Sequence, residues 1–142
     1  MVEVKIVRLD KSLTMPFYAH EGDAGIDLRS SVDEIIKPNE TKTIPTGIKM
    51  AIPENYVGLI WDKSGYASKN SIKTMAGVVD SGYRGEIKVV LINLGKEDFI
   101  IKKDMKIAQM LIQPVVKAKL MEVDSLEETK RNDAGFGSTG KF

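Results

Sequence analysis

The sequence predicts an all-β domain, a sandwich or barrel of short strands, and three observations predict it. β-Branched residues recur at short spacing along the 142-residue chain, and Gly, Pro, Asn or Asp interrupts each run, as in strands joined by tight turns. Helical signals are confined to one stretch, 64–70. No internal repeat and no low-complexity linker divides the body, so the strands belong to one core. A chain of this length buries about two-thirds of the surface its unfolded form exposes, which suits a single domain.

In chain order, Met1-Val2-Glu3-Val4-Lys5-Ile6-Val7 alternates charged and apolar residues, giving an extended chain one wet and one dry face. We read 5–9 as the first strand, and the segment is not read as a signal peptide. Asp23-Ala24-Gly25 is a small-residue turn running into the short strand Ile26-Asp27-Leu28-Arg29. Strands at 43–51 and 57–62 follow the turn residues Asn39-Glu40 and Pro53-Glu54-Asn55, which cap their own backbone or tolerate a positive φ. Ser64 then offers an N-cap hydroxyl, and Gly65 lets the backbone turn sharply into the helical stretch 64–70. In Gly77-Val78-Val79-Asp80-Ser81-Gly82-Tyr83-Arg84-Gly85 an apolar run meets a tight turn and returns as the strand 86–94, the pattern of a β-hairpin. Strands at 99–101 and 106–114 close the body, the first after Gly95-Lys96-Glu97-Asp98. From about Ser125 the chain turns densely polar and then Gly-rich. We expect a body over 1–125 and a flexible C-terminal tail over 126–142.

Composition narrows the functions. Twenty-one basic and 20 acidic residues nearly cancel, so no overall field draws the chain to nucleic acid or an acidic membrane, and any anion site must be local. The absence of cysteine removes disulfides, thiolate metal sites and thiol nucleophiles, and fits a reducing compartment; the cytoplasm is the expectation. No apolar run approaches the roughly 20 residues of a membrane-spanning helix. His20 is the only histidine, which leaves zinc coordination and a Ser-His-Asp triad poorly supported.

Asp80 is open to two readings: it caps a turn beside a packed Tyr83, or a rigid hairpin holds it as a general base next to an aromatic face. Lys63-Ser64-Gly65 at the start of a helical turn is either an ordinary capped turn or an anion site built from a cation, a hydroxyl and free N–H groups. Gly135-Phe136-Gly137-Ser138-Thr139-Gly140-Lys141 fits part of a nucleotide-cradling loop, but Phe142 stands where Ser or Thr is required and no helix can follow. Its main-chain N–H groups can still wrap oxyanions, Arg131 adds charge and Phe136 can stack on a base; a solvated tail is the plain alternative. Gln109, an amide within an apolar strand, must find partners, as structural glue or as a ligand contact. Trp61, the sole tryptophan, reads as packing.

Taken in order, these segments resemble the five motifs of the trimeric dUTPase family over nearly the whole chain. Motif one resembles Ala24-Gly25-Ile26-Asp27-Leu28, motif two Lys63-Ser64-Gly65-Tyr66-Ala67 and motif three Gly77 through Gly85. Motif four resembles Lys106-Ile107-Ala108-Gln109-Met110, and motif five Arg131 with Gly135 through Gly140. The resemblance implies a distorted jelly roll assembled as a homotrimer, each active site gathering motifs from different subunits. It implies hydrolysis of dUTP to dUMP and pyrophosphate, which limits uracil incorporation into DNA and supplies dUMP for thymidylate synthesis. On that reading Asp80, Asp27 and Gln109 are catalytic, Asp80 activating the water that attacks the α-phosphorus. Gly77, Val79 and Tyr83 receive the deoxyuridine, Tyr83 leaving no room for a 2′-hydroxyl. Lys63, Ser64 and Gly65 meet the phosphates. Arg131, Phe136, Gly137, Ser138 and Thr139 close as a lid, Phe136 over the uracil. Mg²⁺ is held by phosphates and water with no direct protein ligand, Asp27 helping to hold that water.

Two positions depart from the family pattern. Lys63 stands where arginine is usual, keeping the charge without the two-pronged grip on phosphate. Asn132-Asp133-Ala134 replaces the usual glycine beside the arginine, at the hinge of the tail. Two rivals remain. A dCTP deaminase of the same fold needs a glutamate about ten residues beyond the aspartate, where this chain has Val90. An idle β-barrel binding partners has no need of this set of polar residues.

Overall fold

The computed structural model describes residues 1–141. Ten strands and one helix follow the chain: β1 (Lys5–Arg8), β2 (Ile26–Arg29), β3 (Glu34–Ile36), β4 (Thr41–Ala51), β5 (Tyr56–Trp61), α1 (Ser64–Asn70), β6 (Ile72–Met75), β7 (Val78–Val79), β8 (Glu86–Asn93), β9 (Phe99–Ile101) and β10 (Lys106–Pro114). They form one sheet in the order β1-β4-β8-β6, a second in the order β2-β10-β5-β7, and the small pair β3-β9. Every pairing is antiparallel. The all-β class with one short helix is therefore observed as expected.

The core lies between the two larger sheets. β8 buries Ile87, Val89, Leu91 and Asn93 on one face, following the two-residue period of a strand. Ile44, Ile48 and Met50 of β4 join that face, and Leu28, Ile60, Ala108 and Met110 meet them from the second sheet. Burying each large aliphatic side chain contributes about 1.5–3 kcal/mol before the opposing chain entropy is counted. Asn93 is the polar exception, and its amide is fully used: Nδ2 donates to the carbonyls of Ile36 and Glu97, and Oδ1 accepts from the Gly95 N–H. Among the described residues, every buried side-chain nitrogen or oxygen has a partner.

β4 bends where its pairing with β8 shifts register between Pro45 and Lys49. Pro45 has no N–H for the ladder and Gly47 sits at φ 68°, so the strand gives up regular pairing there instead of losing a bond in its middle. A side chain at Gly47 would also strike Leu13, its Cβ falling 2.4 Å from Cδ1.

Two expectations are corrected. The run at Val78–Val79 does not pair with the strand that returns after Asp80; β7 pairs with β5, and β8 lies between β4 and β6. The turn itself is present, with the Tyr83 N–H donating to the Asp80 carbonyl at 3.1 Å. Ser64 is not the N-cap of α1; Lys63 is, in an extended conformation, and no side chain bonds the free N–H groups. β3 and β6 were not anticipated. β3 is only three residues long and its partner lies far away in sequence, while β6 follows the helix with no Gly or Pro between them.

After Pro114 the described residues form no further strand or helix. Val116, Leu120 and Leu126 are among the most exposed apolar side chains of the chain, and Phe136 is fully exposed. Among the described residues, no helix is long and apolar enough to cross a membrane.

Candidate active site

The residues singled out from the sequence fall into three groups within one chain. The first lies on the second sheet, where Asp27 of β2, Gln109 of β10 and Trp61 of β5 stand side by side in register. Directly opposed residues share a face, so this row presents a carboxylate next to an amide. Asp27 is largely buried, and its two oxygens are taken by two ammonium groups, Lys63 at 2.6 Å and Lys106 at 2.7 Å. Burial works to raise its pKa, but the bonds from Lys106 and Lys63 together outweigh it and hold the carboxyl below its ordinary value. Gln109 donates from Nε2 to the Asp62 carbonyl at 2.9 Å, leaving its second amide hydrogen and Oε1 for a ligand or water. Gly25 makes room for that amide: a Cβ there would fall 2.4 Å from Gln109 Oε1. Ser64 and Gly65 lie exposed beside the row at the start of α1.

The second group is built around β7. A pocket of about 230 Å³ is lined by Ile60, Gly77, Val79, Asp80, Tyr83 and Val90, among others. Asp80 directly follows β7 and is exposed, and among the described residues its carboxylate makes no hydrogen bond or ion pair. Tyr83 is fixed at its hydroxyl end. Its hydroxyl donates to the Glu86 carbonyl at 2.9 Å, and its ring lies against Gly85, where a Cβ would sit 2.5 Å from Cζ. Arg84 donates to the Ser81 carbonyl at 2.6 Å and the Tyr83 carbonyl at 2.9 Å, bracing the turn. Gly77 adopts φ 108° and packs so closely on β5 that a Cβ would lie 2.9 Å from the Ile60 carbonyl oxygen. β7 is the edge of its sheet, so its outer main-chain N–H and C=O groups face outward unpaired.

The third group is the tail. Arg131 donates from Nε to the Ala134 carbonyl, Ser138 and Gly140 make local turns, and Gly137 takes φ 97°. The hydrogen bonds formed by 118–141 stay within the tail, so Arg131, Phe136, Gly137, Ser138 and Thr139 join neither other group in the same chain.

The first two groups are also apart. Val79, just before Asp80, lies opposite Gly58, three residues along β5 from Trp61, and β7 is three strands from β2. At ~3.3 Å per residue and ~4.8 Å per strand, Asp80 and Asp27 are on the order of 20 Å apart.

Two residues near the sites escaped sequence reasoning. Lys106 reaches Asp27 across a register shift between Lys106 and Ala108, which no spacing rule foretells. Asp62 was read only as the end of a strand, yet it accepts four hydrogen bonds.

Known proteins match this arrangement. The dUTPase family model covers residues 11–140. The chain belongs to the dUTPase family. The deoxyuridine 5'-triphosphate nucleotidohydrolase of Clostridium kluyveri is 50% identical over 141 residues, with 98% of this chain and 99% of that one covered. Its counterpart from Alkaliphilus metalliredigens is 50% identical over 142 residues, with 99% of each covered. Among solved structures, a mutant Staphylococcus bacteriophage 80alpha dUTPase with dUpNHpp superposes at TM-score 0.92 and 27% identity, over 99% of this chain and all of that one. A mutant dUTPase from phage phi11 of S. aureus, described with a structural Mg(II) ion, gives 0.83 at 25% identity over 89% of this chain and 100% of that one. The two-sheet architecture is thus the dUTPase jelly roll.

Proposed function

We propose that Asp80 activates the water with which this member of the dUTPase family splits dUTP into dUMP and pyrophosphate. The water oxygen bonds to the α-phosphorus as the bond from that phosphorus to the bridging oxygen breaks. Pyrophosphate leaves, and the carboxylate takes the water's proton. The observation that carries this reading is the exposed, unpartnered carboxylate of Asp80 at a pocket whose other wall is a Tyr83 ring fixed at its hydroxyl. A ring seated in this way gives the deoxyribose a flat, rigid floor without space for a 2′-hydroxyl. The outward main chain of Gly77 to Val79 offers donors and acceptors to a flat pyrimidine edge.

Lys63, Ser64, Gly65 and Gln109 receive the phosphates and order the water. They lie too far from Asp80 in one chain to touch the same substrate, so we propose that neighbouring copies of a homotrimer supply the two groups, with the tail of a copy closing the site. Arg131, Gly137, Ser138 and Thr139 then grip the outer phosphates while Phe136 stacks on uracil. The donor set suits Mg²⁺ carried in by the triphosphate: among the described residues no three His, Cys, Asp or Glu side chains gather, and Asp27 offers one carboxylate between two lysines. When bound, the ion neutralises charge on the phosphates. Val90 lines the same pocket as Asp80 and has no group to shuttle a proton, which speaks against deamination. We assign the enzyme to the cytoplasm, in keeping with a chain free of cysteine.

The test is an assay of dUTP with Mg²⁺: pyrophosphate forms and no ammonia appears. Asp80→Asn keeps the shape of the site and removes the base, so dUpNHpp affinity is retained while kcat drops by about 10²–10⁴. Unchanged turnover would refute the role.

A further inference from the structure

The structure assigns Asp62 as a positioning residue that holds the phosphate-binding residues Lys63, Ser64 and Gln109 in one arrangement, an inference that rests on the function proposed above. Asp62 links β5 to α1 and bonds in two directions at once. Its Oδ1 accepts from the Thr74 N–H at 2.6 Å and the Thr74 hydroxyl at 2.7 Å, and its Oδ2 accepts from Lys73 Nζ at 2.8 Å. Its main-chain carbonyl accepts from Gln109 Nε2 at 2.9 Å. One residue therefore pins the start of α1 to β6 through its side chain and orients the Gln109 amide through its backbone.

α1 is held at its first turn by Asp62 together with Tyr66 and the Lys63–Asp27 ion pair. It spans seven residues, buries none of them, carries no acidic residue in its first turn and has no side-chain cap. A helix this short is marginal alone, so its position is set by what anchors its ends. At the far end, Leu94 donates to the Ser71 carbonyl at 3.0 Å. At the near end the Asp62 anchor works with Tyr66, which meets Phe99 edge to face at 5.1 Å, and with Lys63, whose Nζ bonds Asp27 at 2.6 Å. Thr74 is itself buried in β6, so the anchor is tied to the core and not to a loose loop. Burial presses the Asp62 pKa upward, and the Lys73 and Thr74 bonds together outweigh it, so the carboxylate is charged when it makes these contacts.

The experiment compares Asp62→Ala and Asp62→Asn with the wild-type chain in Tm, in kcat/KM for dUTP, and in affinity for dUpNHpp and for deoxyuridine. Asp62→Asn keeps an oxygen for Thr74; Asp62→Ala does not. The expected result is a loss of tenfold or more in kcat/KM and in dUpNHpp affinity for Asp62→Ala, with deoxyuridine binding within twofold of wild type. Asp62→Asn restores most of the loss. A folded Asp62→Ala with wild-type kcat/KM overturns the positioning role alone, as does an equal loss of dUpNHpp and deoxyuridine binding. Where Asp62→Ala does not fold, Thr74→Val removes one of the two Oδ1 bonds and carries the same test, an unchanged ratio of the two affinities being the contrary result. A wild-type chain that releases no pyrophosphate from dUTP defeats the functional reading itself, and the proposal with it.

Discussion

Gly85 and Gly25 do for the site what no polar residue can: each leaves out a side chain where a functional one must lie. An alanine at 85 would place its Cβ 2.3 Å from the Tyr83 hydroxyl oxygen, so the ring must leave its seat and give up the bond to Glu86. Gly85→Ala should therefore lower kcat/KM for dUTP about tenfold, ~1.4 kcal/mol of transition-state stabilisation, and narrow the preference for dUTP over UTP. Steady-state kinetics on both nucleotides check it. At this scale the sequence was informative where residue type alone carried meaning: an aspartate in a turn beside a tyrosine, a glutamine in an apolar strand. It was silent on pairing. Nothing in the order of residues says that Asp27 will sit between Lys63 and Lys106, or that Asp62 will bond Thr74, because these contacts depend on which strands become neighbours.

Elements were legible when they were long and alternating. The last strand, 106–114, appears as read, and 5–9 and 86–94 differ from the observed strands by one residue at the end. β7 shows the limit, since a two-residue strand carries no period, and only tertiary pairing sends it to β5 and not to β8. The link between the N-terminal loop and the β9–β10 turn gives a pH prediction. Asp104 accepts from the Thr14 N–H at 3.0 Å and the Thr14 hydroxyl at 2.6 Å, and the Thr14 hydroxyl bond leads in holding its pKa below the ordinary 3.8. A depressed folded-state pKa means that the stabilisation is complete above about pH 4 and fades as pH falls through the folded value. Urea unfolding from pH 6 to pH 2 should show Asp104→Asn less stable than wild type at pH 6, with the gap closing towards pH 2. The tail offers a second test at this scale. Because the bonds of 118–141 stay within that segment, deleting 131–142 should leave the proposed trimer folded by light scattering, with kcat/KM for dUTP reduced by about 10² or more. An aggregated product would show that the tail is structural.

For the whole molecule, the all-β class followed from strand-rich patterning and a lone helical stretch and the jelly roll from the resemblance to the dUTPase motifs, whereas the order of strands within each sheet did not, since local sequence carries no record of crossovers. The site is a property of this larger scale. One chain places Asp80 and its pocket towards one edge of the second sheet and the Asp27–Gln109 row towards the other, on the order of 20 Å away. In the proposed homotrimer, symmetry closes that gap by bringing unlike faces of identical chains together. Mixed oligomers test this most directly. Asp80→Asn chains and Ser64→Ala/Gln109→Ala chains, each inactive alone, are unfolded together, refolded in equal amounts and assayed for pyrophosphate release from dUTP. Sites that draw Asp80 from one copy and Gln109 from another should return roughly a quarter of wild-type activity; a mixture as inactive as its parents would contradict the shared site.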